Sequence, residues 1–575
     1  MTRPHVRLGA VAAAMLACVT MAACTHSDTA TTGQHSDTRS LSGAAPTGFQ
    51  TQHRGGTLRI DASGAAGTLD PQISYDVAPW QIAQVAYDGL VAFEKVGGKQ
   101  SLTVVPDLAV DLPTVTDGGK TYTFRLRTGI KFANGQPLTT ADVIASFRRI
   151  YKASGPTAGT FFRSIVGASA CLQTPKTCIL PGVTADSATN TVTIKLTQPD
   201  AEFLRKLALP HASILPASTP DTDQGVKPIP GTGAYLISSY NPNSHLLLVR
   251  NPYFQQWSQA AQPQGYPDKI EYRYGLTVDA EVSQVENGQA DWVNDPLPTE
   301  RLNEVGTKYS DQVHINLLGA MWYLPLNVNI APFNNLKARQ AVQWAVDKNA
   351  VVTQYGGPQL ATPVCTILPP SYPEHVGYCG YTKGGDKTWS AADLDKARQL
   401  VQESGTAGEA VAIVVQNDST NLAIGQYLQT VLSDIGYKAS IKPLSSNIQF
   451  GYIQNSNNKV QISLTQWYED YPAPSDFVNV LLSCASYHPG SDSSINIGGY
   501  CNPAYDAKIH QAMNDASTDP AKANAEWGAL DREAMDQALI VPLFTPKNLD
   551  FVSKRVGNYQ FSNLYYLLID QLWVQ

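Results

Sequence analysis

The stretch from Val411 to Ile441 constrains the fold most. Val411 to Val415 is a β-branched apolar run, Leu422 to Ile435 has helical spacing closed by Gly436, and Tyr437 to Ile441 returns to strand character. Strand, helix and strand in that order form a βαβ unit. Its two strands lie parallel only if the helix crosses back over the sheet, so the chain belongs to the α/β class.

The same alternation appears elsewhere. Thr57 to Ile60 and Thr121 to Leu126 alternate apolar with polar residues, placing Tyr122, Phe124 and Leu126 on one face, and Val192, Ile194 and Leu196 mark a further strand. Asn134-Gly135 supplies a turn. Thr139 with Asp142 reads as the cap of a helix through Ile150, and Ser390 with Asp393 as the cap of one ending near Gly405. No period points to internal repeats. Two α/β lobes are expected, since 575 residues, of which 43% are hydrophobic and 15% charged, suffice for more than one core.

A net charge of −7 without a basic block argues against a phosphate-binding surface and so against a nucleic-acid partner. Arg3 and Arg7 precede an apolar run from Leu8 to Met21 that is too short to span a bilayer and ends in Ala22 and Ala23. This pattern is an export signal over residues 1–23. Met21-Ala22-Ala23-Cys24 resembles the lipobox at which bacterial lipoproteins are cleaved and acylated on cysteine, with Met21 where leucine is usual. Lipidation at Cys24 is therefore expected, and with it anchoring at the outer face of the cell membrane or in the periplasmic space; a cleaved, unanchored protein is the alternative. Residues 24–53 are rich in Ser, Thr, Gly and Ala without hydrophobic periodicity and are read as a flexible tether.

Eight cysteines, less Cys18 in the signal and Cys24, leave six. They fall in local couples: Cys171 with Cys178, Cys365 with Cys379, and Cys484 with Cys501. An even number suits an oxidising compartment, and near-neighbour pairing closes short loops worth roughly 2 to 3 kcal/mol each. A zinc site is the rival reading, but no CxxC occurs and the ten histidines lack ligand-like spacing, so no metal is expected.

Catalytic patterns fail one by one. Gly167-Ala168-Ser169-Ala170-Cys171 lacks the closing glycine of a serine-hydrolase elbow, and no HExxH occurs. Gly385-Asp386-Lys387-Thr388 lacks the Gly-Lys step of a phosphate loop. Gly231-Thr232-Gly233 lacks the third glycine of a dinucleotide fingerprint and is read as a tight turn. Neither catalytic residues nor a cofactor is expected.

Several short motifs occur in a recognisable order. Gly56-Thr57-Leu58-Arg59-Ile60, Thr68-Leu69-Asp70-Pro71 and Tyr87-Asp88-Gly89-Leu90 are followed by Asp117 to Phe124, Gly129 to Gly135 and Thr140-Ala141-Asp142-Val143. Gly231-Thr232-Gly233-Ala234-Tyr235, Leu326-Asn327-Val328-Asn329, Pro332-Phe333, Arg339-Gln340-Ala341 to Asp347-Lys348, and Trp467 to Phe477 complete the series. Together these resemble the family 5 extracellular solute-binding proteins, the oligopeptide and dipeptide binders that serve ABC importers.

The resemblance implies a two-lobe periplasmic-binding-protein-like fold of type II, with an extra subdomain at about 85–210. One lobe would comprise 54–320 plus 536–575 and the other 321–535, joined by a hinge with two chain crossings. It implies a monomer that closes on a small solute, expected to be a peptide, and passes it to membrane permease subunits. It also assigns Asp470 to the ligand's amino terminus, since an enclosed carboxylate offsets a desolvated ammonium when its geometry is good. Solvated loop acid and cap of the helix after Pro474 are the plainer roles for Asp470.

Gln466, Tyr468 and Glu469 replace residues that are small in relatives, and Tyr468 is included in the candidate site. Trp467 either walls the cleft or fills core. Tyr75 and Asp76, in the loop after the first strand, match a region that lines relatives' clefts, with ordinary loop residues as their plainer role. Arg163 and Lys459 are candidates for the ligand's carboxylate, but their spacing does not favour them over solvated positions. A receptor for a non-peptide solute such as a sugar, metal chelate or antibiotic intermediate, and a peptide-sensing signalling protein, remain as other readings.

Overall fold

The computed structural model describes residues 49–575 apart from Ala66, Asp76, Thr299, Pro373, Asp386, Ser493 and its neighbour Asp492, and Ser517 with Thr518. The export signal, Cys24 and most of the tether fall outside the described residues, as does Asp76. The packed chain begins earlier than the tether reading allowed. Phe49 stacks on Tyr266 with ring centres 4.7 Å apart, and His53 stacks on Trp573 at 4.0 Å. Two aromatic contacts hold what composition alone marked as loose.

The first sheet has the strand order Trp292–Val293, Thr57–Ala62, Lys269–Tyr274, His245–Arg250 and Tyr235–Asn241. Its first three strands run parallel and the others antiparallel. Leu58, Ile60, Leu246, Leu248 and Ile270 form its core, and Leu567, Ile569 and Leu572 from the end of the chain pack into it. Beside this sheet, Thr114–Thr116, Thr121–Arg125, Thr191–Lys195 and Val183–Asp186 make an antiparallel sheet. The helix Thr140–Lys152 covers it with Val143, Phe147, Ile150 and Tyr151. Asp142 anchors the helix start by accepting the Thr139 amide at 2.8 Å and hydroxyl at 2.7 Å.

Gly231 and Gly233 are required for close approach rather than for a turn, which corrects the sequence reading. A β-carbon on Gly231 would stand 1.9 Å from the Ala86 carbonyl oxygen, and one on Gly233 2.4 Å from that of Val85. Between them, the Thr232 hydroxyl donates to Asp88 at 2.5 Å. Two of the motifs thus lie against each other.

The second lobe contains the expected βαβ unit. Ala410–Gln416 pairs in parallel with Lys438–Leu444 and with Ile462–Ser463, and the helix Ser419–Asp434 connects the first two strands. The helix ending at Ser404 begins at Leu394, and Asp393 is its cap, accepting the Lys396 amide at 3.0 Å. Ser390 takes no part in that cap. Its amide and hydroxyl bond to Thr382, because the chain between them is held in a bridge that stops the helix from starting sooner.

The chain crosses between the lobes twice, along paired strands. Val313–Leu317 pairs with the far half of Ile540–Phe551, and Ala320–Pro325 pairs with its near half and with Thr465–Tyr468. Val541, Leu543 and Phe544 pack with Trp322 and Leu324, whereas Phe551 packs with Val282 and Val293. All three local cysteine couples are disulfide-bonded. Among the described residues, no helix is long and apolar enough to cross a membrane.

Candidate functional site

Asp470 lies in the loop between the strand Thr465–Tyr468 and the helix Ser475–Leu482. Its Oδ1 accepts the Tyr75 hydroxyl at 2.5 Å, so two side chains 395 residues apart meet across the seam between the lobes. Burial pushes the Asp470 carboxyl up to about 6, against the pull of the Tyr75 hydrogen bond. The Tyr75 hydroxyl is raised by burial and then by the Asp470 charge, so Tyr75 remains the donor. Its ring meets Trp80 edge-on at 6.0 Å and His211 at 5.6 Å. Burial holds the His211 imidazole neutral, down to about 3.

Tyr75 and Tyr468 keep 50% and 39% of their surface open, yet burial raises both hydroxyls above the usual tyrosine value. Trp467 is different. It is half-buried against the cluster of Met321, Tyr372 and Phe477, and its indole N–H donates to Asp476 Oδ2 at 3.4 Å. It therefore fills core with an anchored polar tip.

The loop is set by Asp476, whose Oδ2 also accepts the Asp470 amide at 2.8 Å. Asp470 is not the cap of the following helix, because Pro474 occupies that position. Glu469, next to Asp470, accepts the Tyr372 hydroxyl at 2.5 Å, and burial raises its carboxyl to about 8. Other contacts join the lobes here. The Ser475 hydroxyl donates to Glu202, Phe161 meets Tyr471 edge-on at 5.6 Å, and Lys206 Nζ lies 5.4 Å from the Tyr471 ring centre.

Arg163 and Lys459 are both exposed. The cation beside the acidic seam is instead Lys206, which pairs with Asp200 at 2.8 Å. Sequence reasoning missed Lys206 and Glu202, which carry no local signal, and passed over Asp476 although it lies within the stretch from Trp467 to Phe477.

Residues 103–489 match the family model of the bacterial extracellular solute-binding proteins, family 5 middle. The chain belongs to this family. The match contains Trp467, Tyr468, Asp470 and Asp476, while Tyr75 precedes it. The family 5 chain is 23% identical over 510 residues to the periplasmic oligopeptide-binding protein OppA of Escherichia coli K12, covering 86% of this chain and 87% of that one. It is 25% identical over 507 residues to the glutathione-binding protein GsiB of the same strain, covering 86% and 89%. Among solved structures it resembles clavulanic acid biosynthesis oligopeptide binding protein 2, at a TM-score of 0.81 and 25% identity over 91% of this chain and 96% of that one. Family membership places the two lobes in the solute-binding class.

Proposed function

We propose that this protein is the substrate-binding lipoprotein of an ABC importer, taking a short peptide between its lobes and handing it to membrane permease subunits. The observation that carries this reading is the place of Asp470. Its carboxylate stands in the seam, held by a donor from the opposite lobe, where an ammonium group arriving with a ligand would be enclosed from both sides. The printed names of the relatives, an oligopeptide binder and a glutathione binder, support a peptide ligand.

We assign one lobe to 54–320 plus 536–575, including the subdomain at about 85–210, and the other to 321–535. A ligand that touches both lobes favours the closed form by its differential affinity for the two states. Strand edges hydrogen-bond an extended peptide's main chain whatever its side chains, so selection falls on length and termini. Lipid on Cys24 keeps the protein beside its permease. The chain acts by binding, without catalysis.

Asp470→Asn keeps the side-chain shape and removes the charge. It is expected to weaken trialanine binding by at least about tenfold while changing N-acetyl-trialanine little, as read by calorimetry. Equal losses for both peptides would overturn the assignment of Asp470. Native mass spectrometry of freshly purified protein identifies what it carries, and a sugar or chelate there would overturn the peptide reading.

A further inference from the structure

The seam gathers more acid than the anchoring of one ammonium group requires. Asp470 and Glu469 lie on the loop of one lobe, Asp476 at the head of the following helix, and Glu202 comes from the other lobe through its bond to Ser475. Lys206 faces them but is already paired with Asp200. Tyr75, Tyr372 and Tyr471, the other titratable groups around Asp476, are held protonated by burial and nearby negative charge.

Asp476 is the most enclosed of the four acids. It has no exposed surface, and its Oδ2 receives two N–H groups while its Oδ1 has no donor. Glu202 Oε2, also buried, has none either. A buried anionic oxygen without a donor is costly, and the group relieves that cost by holding a proton.

We propose that Asp476 is a positioning residue for Asp470 that works as a neutral carboxylic acid. Oδ2 orients the Asp470 loop through the two donated hydrogen bonds, and the proton on the acid keeps a further negative charge out of the seam. Burial raises the Asp476 carboxyl well above its usual range, and the charge of Asp470 adds to the shift. Ionisation at high pH would set Asp476 against Asp470 within its own lobe and against Glu202 across the seam, and the second repulsion would drive the lobes apart. This inference rests on the reading of Asp470 as ligand anchor.

Infrared spectra of the purified protein at about neutral pH test the proton directly. Asp476→Asn is expected to remove intensity from the protonated-carboxyl stretch, and a spectrum identical to wild type would overturn the proposal. Trialanine affinity tests the consequence. Both proteins lose affinity as trialanine's amino group deprotonates above about pH 8; wild type is expected to lose more than that on the alkaline side, whereas Asp476→Asn stays within about twofold of wild type at neutral pH and shows only the loss that the ligand causes. Asp476→Ala, with the acceptor gone, is expected to bind about tenfold more weakly at every pH. An alkaline loss as large in Asp476→Asn as in wild type, or an Asn variant as weak as the Ala variant, would overturn the role. Failure of wild type to bind trialanine would count against the peptide reading, and the infrared comparison would still decide the state of Asp476.

Discussion

Gly319 and Glu469 fit together where the chain crosses between the lobes. The Glu469 amide donates to the Gly319 carbonyl at 2.8 Å, and a β-carbon on Gly319 would stand 2.2 Å from Glu469 Cδ and 2.4 Å from its Oε1. The bare α-carbon makes room for the acid, and the acid in turn reaches the Tyr372 hydroxyl. An acid beside Asp470 and a glycine at the first crossing thus form one device.

Gly319→Ala must displace the Glu469 carboxyl and break its bond to Tyr372. The expected cost is about 1 to 3 kcal/mol in denaturant unfolding. Glu469→Ala in the same chain should recover most of the steric part, which a double-mutant cycle would show as a coupling energy. Additive costs would mean that the two residues do not meet as described.

Tyr75→Phe removes the hydroxyl that stabilises ionised Asp470. The Asp470 carboxyl then rises above about 6. Binding of a free-amine peptide, which needs the carboxylate, is lost as pH falls through that value in wild type. In the variant this acid limb should shift to higher pH, as titration calorimetry across pH would record.

Stability should fall as pH rises from about 4.5 towards about 8. Burial raises Asp531 to about 7, and Glu469 and Glu281 to about 8. Each holds a proton in the fold that the unfolded chain has already released, so its contribution, full below the unfolded carboxylate value, is lost as pH passes through the folded one. His211, lowered to about 3, works the other way, since it gains a proton on unfolding below its ordinary value; its contribution is complete above that value and is lost as pH falls. Melting temperature should therefore decline from about pH 4.5 to about 8, less steeply below about 6.5, where His211 opposes the acids. Asp531→Asn should flatten the decline.

Replacing Cys484 and Cys501 together by alanine opens a loop of sequence separation 17. The expected loss is about 3 kcal/mol by the loop-entropy estimate, read from chemical denaturation against wild type. Reduction of the intact protein should lower stability in the same direction.

Local patterns placed most elements within a few residues. Strand Thr57–Ala62, helix Thr140–Lys152 and the βαβ unit follow from periodicity and caps that neighbouring residues supply. Ser390 misled because a hydroxyl three residues before an acid resembles a cap wherever it occurs, and only the contact with Thr382 shows otherwise. Trp467 has a similar ambiguity: a large apolar ring suits a core and a cleft wall equally, and only the tertiary structure shows that it packs against Met321 and Phe477.

The amino-acid sequence by itself determined the α/β class, the cysteine couples and the family motifs, because each depends on residues close together along the chain or on their order. Only the tertiary structure decided what faces what at the seam. Tyr75 reaches Asp470 across 395 positions, and Glu202 reaches Ser475 across 273. No short-range pattern encodes such pairs, since their meeting depends on where two independently packed lobes bring their surfaces together.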